Sequence, residues 1–127
     1  MGGYKYAFEN LEVWKESREF VAQIYIISKD FPIEEKYGLS TQIRRAAVSI
    51  VSNIAEGISR KSNKEKIRFI EIAYGSLMEV YCQLCVALDL KYINKEQLDQ
   101  YKDIIDKLAN KLNSLNTAIA AKKYWIF

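Results

Sequence analysis

Two cysteines and three glutamates are the residues of this 127-residue sequence whose types and positions could support chemistry, and the sequence contains no histidine. Cys82 and Cys85 have the Cys-x-x-Cys spacing of redox pairs and zinc sites. A redox pair is expected at a helix start that follows a strand, and a zinc site needs two further ligands. Because neither context surrounds this pair, we expect two small buried residues, with redox or metal chemistry as the alternative.

Glu56, Glu71 and Glu79 lie in the middle of helical segments and could in principle work as an acid and a base. Most glutamates in such positions are solvated or form salt bridges. The lack of histidine removes the commonest general base, and the five glycines form neither a phosphate loop nor a dinucleotide fingerprint. The sequence therefore predicts a protein that is not an enzyme and has no catalytic residues, no metal site and no cofactor.

The sequence contains four amphipathic segments, and the helices that they predict would position the two cysteines and three glutamates. Their apolar residues recur at spacings of three and four, which places one apolar stripe along each helix. The stripe of the first segment is Val13, Phe20, Ile24 and Ile27. That of the third is Ile67, Ile70, Tyr74, Leu77, Tyr81, Leu84 and Leu88, and that of the fourth is Leu98, Tyr101, Ile105, Leu108, Leu112, Leu115 and Ile119. The predicted helices span roughly 10–30, 40–59, 63–89 and 94–120.

The sequence also marks where the helices begin and how they connect. Ser40, Ser62 and Asn94 are suitable N-caps, and the last two are each followed three residues later by Glu or Gln, the spacing of a capping box. The connections are short, about 3 to 9 residues, and short loops join antiparallel neighbours. The prediction is one all-α domain over 1–127, an up-down-up-down antiparallel four-helix bundle.

The chain start and the length of the apolar runs bear on location. The first residues contain no apolar signal-peptide core, and we find no apolar run that approaches the roughly 18 residues of a membrane span. We therefore expect a soluble cytoplasmic protein without membrane contact.

The second predicted helix, QIRRAAVSIVSNIAEG over 42–57, has an unusual polar strip. Its ends are Arg45 and Glu56, and its middle holds the short side chains of Ser49 and Asn53. Short side chains let another backbone approach closely, so we interpret these four residues as a subunit interface. Arg45 and Glu56 are eleven residues apart, about 16 Å along the axis, which suits ion pairs between chains rather than within one helix. The alternative is an ordinary solvated face.

Three blocks of the sequence carry a family resemblance: FENLEVWKESREFV, QIRRAAVSIVSNIAEG and FIEIAYGSLMEV. Together they resemble the four-helix bundle proteins encoded by intervening sequences in bacterial 23S ribosomal RNA genes. The family usually reads Ile-Pro-Ser-Asn in the second block, whereas this chain has Val51 in place of the proline, which keeps the helix hydrogen bond. The resemblance covers roughly 8–119 and implies a homopentameric ring.

The resemblance also implies kinship with the accessory variability proteins of diversity-generating retroelements. Those proteins are similar pentameric bundles that bind nucleic acid and a reverse transcriptase. The family supplies no catalytic residues that could be carried over to this chain.

The modest net charge of +3 conceals an uneven distribution. In an antiparallel bundle, the chain start, the turn between helices two and three and the chain end meet at one pole, which has eight basic and three acidic residues. We predict that this basic pole binds nucleic acid, either RNA or DNA, without sequence preference. The predicted contact residues are Arg60, Lys61, Lys64, Lys66 and Arg68. The alternative is an oligomeric adaptor for a protein partner, with no nucleic-acid binding.

The last four residues, 124–127, form an apolar cluster of Tyr, Trp, Ile and Phe. So large an apolar group is expected to pack against its own bundle or a neighbouring one. The alternative is a frayed terminus.

Overall fold

The structure, a computed structural model, describes residues 5–121, and these residues contain four long α-helices and no strand. Each helix packs against its sequence neighbour, most extensively α2 against α3, while α1 and α4 share the smallest of the helix–helix contacts. Two short 3-10 turns, Ala7–Asn10 and Ile33–Glu35, precede α1 and α2. The predicted all-α antiparallel four-helix bundle is confirmed. The helices are α1 Glu12–Ser28, α2 Leu39–Ile58, α3 Asn63–Asp89 and α4 Lys95–Ala120.

The predicted N-caps of α3 and α4 are confirmed. The Ser62 hydroxyl accepts a hydrogen bond from the Glu65 backbone N–H at 3.1 Å. At α4, the Asn94 side chain accepts from the Gln97 N–H at 2.8 Å, and the Gln97 side chain accepts from the Asn94 N–H at 2.9 Å. Both helices therefore begin where short-range sequence signals place them.

The start of α2 differs from the prediction. The helix begins at Leu39 after Gly38, and Ser40 is buried in its first turn instead of acting as the N-cap. A Glu35 carboxylate oxygen accepts from the Leu39 N–H at 3.0 Å, and its other oxygen accepts from the Tyr92 hydroxyl at 2.8 Å. These bonds stabilise the carboxylate and lower the pKa of Glu35. The preceding turn thus supplies the cap, and no serine is needed.

The core is built from the predicted stripes, with one addition on α3. The predicted stripes of α1 and α4 are buried, except for the half-buried Tyr101 of α4. The predicted stripe of α3 is only partly buried: Ile70, Leu77 and Leu84 are buried, whereas Ile67, Tyr74, Tyr81 and Leu88 are half-buried. On α3, however, a second buried row follows Ala73, Val80 and Ala87, whose small side chains suit the extensive packing against α2. The fully buried larger side chains are Phe20, Ile24, Ile43, Ile50, Ile54, Ile70, Leu77, Leu84, Ile105, Leu108, Leu112 and Ile119.

The expected packing of the apolar cluster at 124–127 lies outside the described residues. Lys122 and Lys123, which belong to the predicted basic pole, lie outside them as well.

Replacing Leu84 with alanine tests the core. Leu84 is 0% exposed, so the substitution leaves a cavity and should lower the free energy of unfolding by about 2–5 kcal/mol. Leu90→Ala is the matched control, because Leu90 is 49% exposed just after the same helix and should change stability by less than about 0.5 kcal/mol. Urea unfolding followed by circular dichroism measures both, and equal effects would show that α3 packs by another face.

Candidate nucleic-acid and subunit surfaces

The turn that joins α2 to α3 carries the basic residues predicted to contact nucleic acid. Lys61, Lys64 and Arg68 are exposed around this turn. None of the three forms an ion pair within residues 5–121. They therefore form a cationic surface, here called the basic turn, whose charges remain available to a polyanion.

Arg60 has partners within the chain. Its guanidinium donates to the Glu56 carboxylate at 2.7 Å and lies over the Phe69 ring, 4.6 Å from the ring centroid. Both side chains of the ion pair remain about half exposed, so the pair contributes little to stability. It does hold Arg60 against the surface beside the basic turn.

Lys66 is buried against the end of α2, whereas the sequence predicted it to be one of the residues that contact nucleic acid. Its ammonium donates to the backbone carbonyl of Ile58 at 2.9 Å and to that of Arg60. The side chain is buried, and burial lowers the pKa of Lys66 below its ordinary value. A cation at the carbonyl end of a helix is favourable, so Lys66 caps α2 and is left out of the basic turn.

Gly57 allows α3 to come close enough for this cap. A Cβ at position 57 would lie 2.9 Å from the Phe69 Cβ and 3.2 Å from the Lys66 carbonyl oxygen. Neither atom is the flexible end of a side chain, so a larger residue would push the two helices apart. The glycine that ends the QIRRAAVSIVSNIAEG block is therefore required by helix packing.

The lysines of α4 contrast with those of the basic turn, because three of them are already paired. The ion pairs raise the pKa of each lysine, chiefly through a hydrogen bond to a carboxylate. Unpaired positive charge is therefore concentrated at the basic turn rather than along α4. The pairs are Lys95 with Asp99, Lys102 with Asp106, and Lys111 with Glu12 and Glu16.

The residues predicted to form a subunit interface on α2 occupy two environments. The hydroxyls of Ser49 and Ser76 are 2.8 Å apart, so Ser49 bonds to α3 of its own chain. Asn53 donates to the Ser49 backbone carbonyl at 2.8 Å. Arg45 is exposed and makes no ion pair within residues 5–121, while Glu56 is exposed and paired with Arg60. Ser49 thus contributes to α2–α3 packing and Asn53 bonds within α2. The subunit interface formed by these four residues, including the pairing of Arg45 with Glu56 between chains, stays a prediction.

The cysteines and acids form no recognisable chemical centre in the described part of the chain. Cys82 is exposed and Cys85 is half-buried, so the expectation that both are buried is wrong for Cys82. Both are free thiols. Within residues 5–121, no group of three or more Cys, Asp or Glu side chains is placed to hold a metal ion.

The outer face of α3 is more apolar than its sequence stripe indicated. Ile72 and Val86 are both 41% exposed, on the face opposite the core. Within the described residues, α3 alone has the length and apolarity of a membrane span, with a mean hydropathy of 1.2 over its best window. Core helices of soluble proteins also meet this criterion. Apolar residues off the main stripe are the signal that could have revealed this face from the sequence.

The described residues thus form an antiparallel four-helix bundle with a cationic turn. The family model of the 23S rRNA-intervening sequence protein matches residues 9–114, and the chain belongs to that family. The chain is also similar to a crystal structure from Bacteroides thetaiotaomicron, that of a protein of unknown function from the S23 ribosomal protein family. The TM-score is 0.75 at 28% identity, covering 82% of this chain and 97% of that one. A search of curated proteins finds no match.

Comparing Lys66 with Lys64 tests the assignment of the buried cap. Lys66→Met should lower the free energy of unfolding by about 1–3 kcal/mol, because it leaves two carbonyls at the end of α2 without their charged donor. Lys64→Met removes the same charge from an exposed side chain and should change stability by less than about 0.5 kcal/mol. Urea unfolding curves measure both, and equal midpoints would contradict the assignment.

Proposed function

We propose that this protein is a non-enzymatic homo-oligomer, a pentameric ring, that binds nucleic acid through the basic turn. The observation that carries the nucleic-acid part is the exposure of Lys61, Lys64 and Arg68 without ion-pair partners in the described chain. Phosphate backbones are attracted to such a surface because binding releases condensed counterions.

The pentameric ring rests on family membership together with the surface of the bundle. The chain belongs to the 23S rRNA-intervening sequence protein family, whose resemblance to the accessory variability proteins implies a pentamer. The outer faces of α2 and α3 expose Val48, Ile72 and Val86. In a ring whose bundles run along its axis, the five basic turns lie on one rim. Repetition of a weakly cationic surface then gives one strongly cationic surface.

The same exposed apolar residues favour the second candidate function, an oligomeric adaptor for a protein partner. The two functions differ in their dependence on salt and on the basic turn. The sequence of the basic turn contains no recognisable base-reading motif, so the proposed binding is to the backbone and tolerates any sequence.

The assembly prediction is that the purified protein has the mass of five chains in solution. Multi-angle light scattering measures this mass directly, at several protein concentrations. A monomer at all concentrations would contradict the ring, and a stable assembly of another size would contradict its pentameric form.

The binding prediction uses a triple substitution of the basic turn, Lys61→Ala, Lys64→Ala and Arg68→Ala. Fluorescence anisotropy with a duplex DNA and a single-stranded RNA should show weaker binding for all sequences. For the duplex, the slope of log affinity against log salt should flatten by about 0.9 for each phosphate that the variant no longer neutralises.

The matched control changes the same number of charges on α4, through Lys95→Ala, Lys102→Ala and Lys107→Ala. Two of these lysines are already neutralised by neighbouring carboxylates, so this variant should bind almost as the unmodified protein does. Loss of binding to the same extent in both triple variants would refute the basic turn as the site. Absence of binding by the unmodified protein at about 50 mM salt would favour the adaptor instead.

A further inference from the structure

One ridge and one groove on the surface of the bundle carry opposite charges. The ridge, here called the α3 row, runs along the exposed face of α3 at spacings of three and four. Nothing lies within 4 Å of where a Cβ of Gly75 would be, so the middle of the row is open to another surface. Its members are Ile72, Gly75, Glu79, Cys82 and Val86.

The groove lies between α1 and α2, and none of the α3-row residues lines it. Its volume is about 500 Å³, and its described lining holds two arginines and no acid. Arg44 is fixed there, because its guanidinium donates to the Ser28 hydroxyl at 2.8 Å and stacks on the Tyr25 ring at 4.8 Å. Arg45 makes no ion pair within residues 5–121. The lining residues are Tyr25, Thr41, Arg44, Arg45, Val48 and Ser49.

We propose that the α3 row of one protomer occupies the α1–α2 groove of a second copy of this chain. The inference rests on the homo-oligomer of the proposed function and names the two surfaces that would form it. Because the two surfaces differ, the contact is heterologous, and contacts of this kind generate rings when the rotation between copies closes and open filaments when it does not.

The positions of the residues along the bundle axis, here called their heights, support this pairing. The bond between Ser49 and Ser76 fixes α2 and α3 in register. Arg45 lies one helical turn before Ser49, about 6 Å along the axis. Glu79 lies about 4.5 Å from Ser76 in the same direction, because α3 runs antiparallel to α2. Rotation about a ring axis parallel to the bundles preserves height, so Arg45 of one copy faces Glu79 of the next. Within such a ring, the same geometry excludes the pairing of Arg45 with Glu56 that the sequence predicted, because those two residues differ in height by about 16 Å.

The same comparison matches the two other pairs of the contact. Val48 of the groove and Gly75 of the row differ in height by only about 3 Å. Gly75, which has no side chain, therefore faces the branched side chain of Val48. Thr41 and Cys82 also lie within about 3 Å of the same height. The apolar contact is thus followed along the bundle first by the arginine–glutamate pair and then by the exposed thiol.

A symmetric contact between two α3 rows is electrostatically unfavourable. Glu79 is at the centre of the row, so a two-fold axis there would place the Glu79 carboxylates of both chains side by side. Like charges brought together at an interface oppose association. Such a contact would also produce closed dimers rather than rings.

Charge reversal tests the pairing. Arg45→Glu and Glu79→Arg should each raise the protein concentration needed for assembly at least about tenfold, and the double variant should recover most of that loss. Lys107→Glu is the control for net charge, because Lys107 is exposed on α4 outside both surfaces, and it should assemble normally. Light scattering reports assembly, and circular dichroism confirms that each variant is folded.

Cross-linking distinguishes failure of this inference from failure of the proposed function. In a Cys85→Ser background, Thr41→Cys with the native Cys82 should give a ladder of covalent oligomers with a short bismaleimide. The matched control, Gln23→Cys, places the thiol on the α4-facing side of α1, outside the groove, and should give no ladder.

Three outcomes would overturn the inference. A covalent dimer formed through Cys82 alone would show that two α3 rows meet. An assembled protein without Thr41→Cys cross-links, or with additive charge reversals, would show that the ring uses other surfaces and would leave the proposed function standing. A monomeric unmodified protein would remove the inference and the proposed ring together.

Discussion

The close approach of α2 and α3 near Gly57 is the packing constraint on which the rest of the bundle depends. The space for a Cβ at this position is occupied by Phe69 and by the backbone of Lys66. Only at this separation can the Lys66 ammonium reach the last carbonyls of α2. One missing side chain therefore fixes both the distance between two helices and the way the first of them ends.

The same contact determines what the surface offers to partners. With Lys66 turned inward and Arg60 held by Glu56, the turn presents Lys61, Lys64 and Arg68 to solvent. Further along, Ser49 and Ser76 continue the close packing and fix the register of the two helices. Because α3 buries its small residues against α2, its opposite face is left with apolar residues such as Ile72 and Val86.

Local patterns predicted the helices and most of the core, because apolar spacing and N-caps depend on residues three or four positions apart. The predictions were wrong where the local structure depends on residues that are far apart in the sequence. Glu35 caps α2 while bonded to Tyr92, 57 positions away, so the start of α2 was predicted wrongly. A lysine in the third helix has the same local signature whether it is exposed or caps another helix, so the sequence did not distinguish Lys66 from Lys64. The hydroxyl of Ser49 meets the Ser76 hydroxyl of the same chain, a contact that the sequence did not reveal, and the part of Ser49 in a subunit interface stays a prediction.

The arrangement of charge separates the two proposed surfaces in space and in physical character. Arg45 lies thirteen residues before Ile58, about 20 Å along the axis, so the groove is well removed from the basic turn. The proposed binding at the turn would depend on counterion release and would fall steeply with salt, whereas the proposed contact of row and groove would combine one ion pair with salt-insensitive apolar contact. A ring built in this way would keep its assembly while its rim binds and releases a polyanion. The mild net charge of the chain is compatible with the proposed nucleic-acid binding, because the unpaired positive charge at the turn is local and the proposed ring would repeat it.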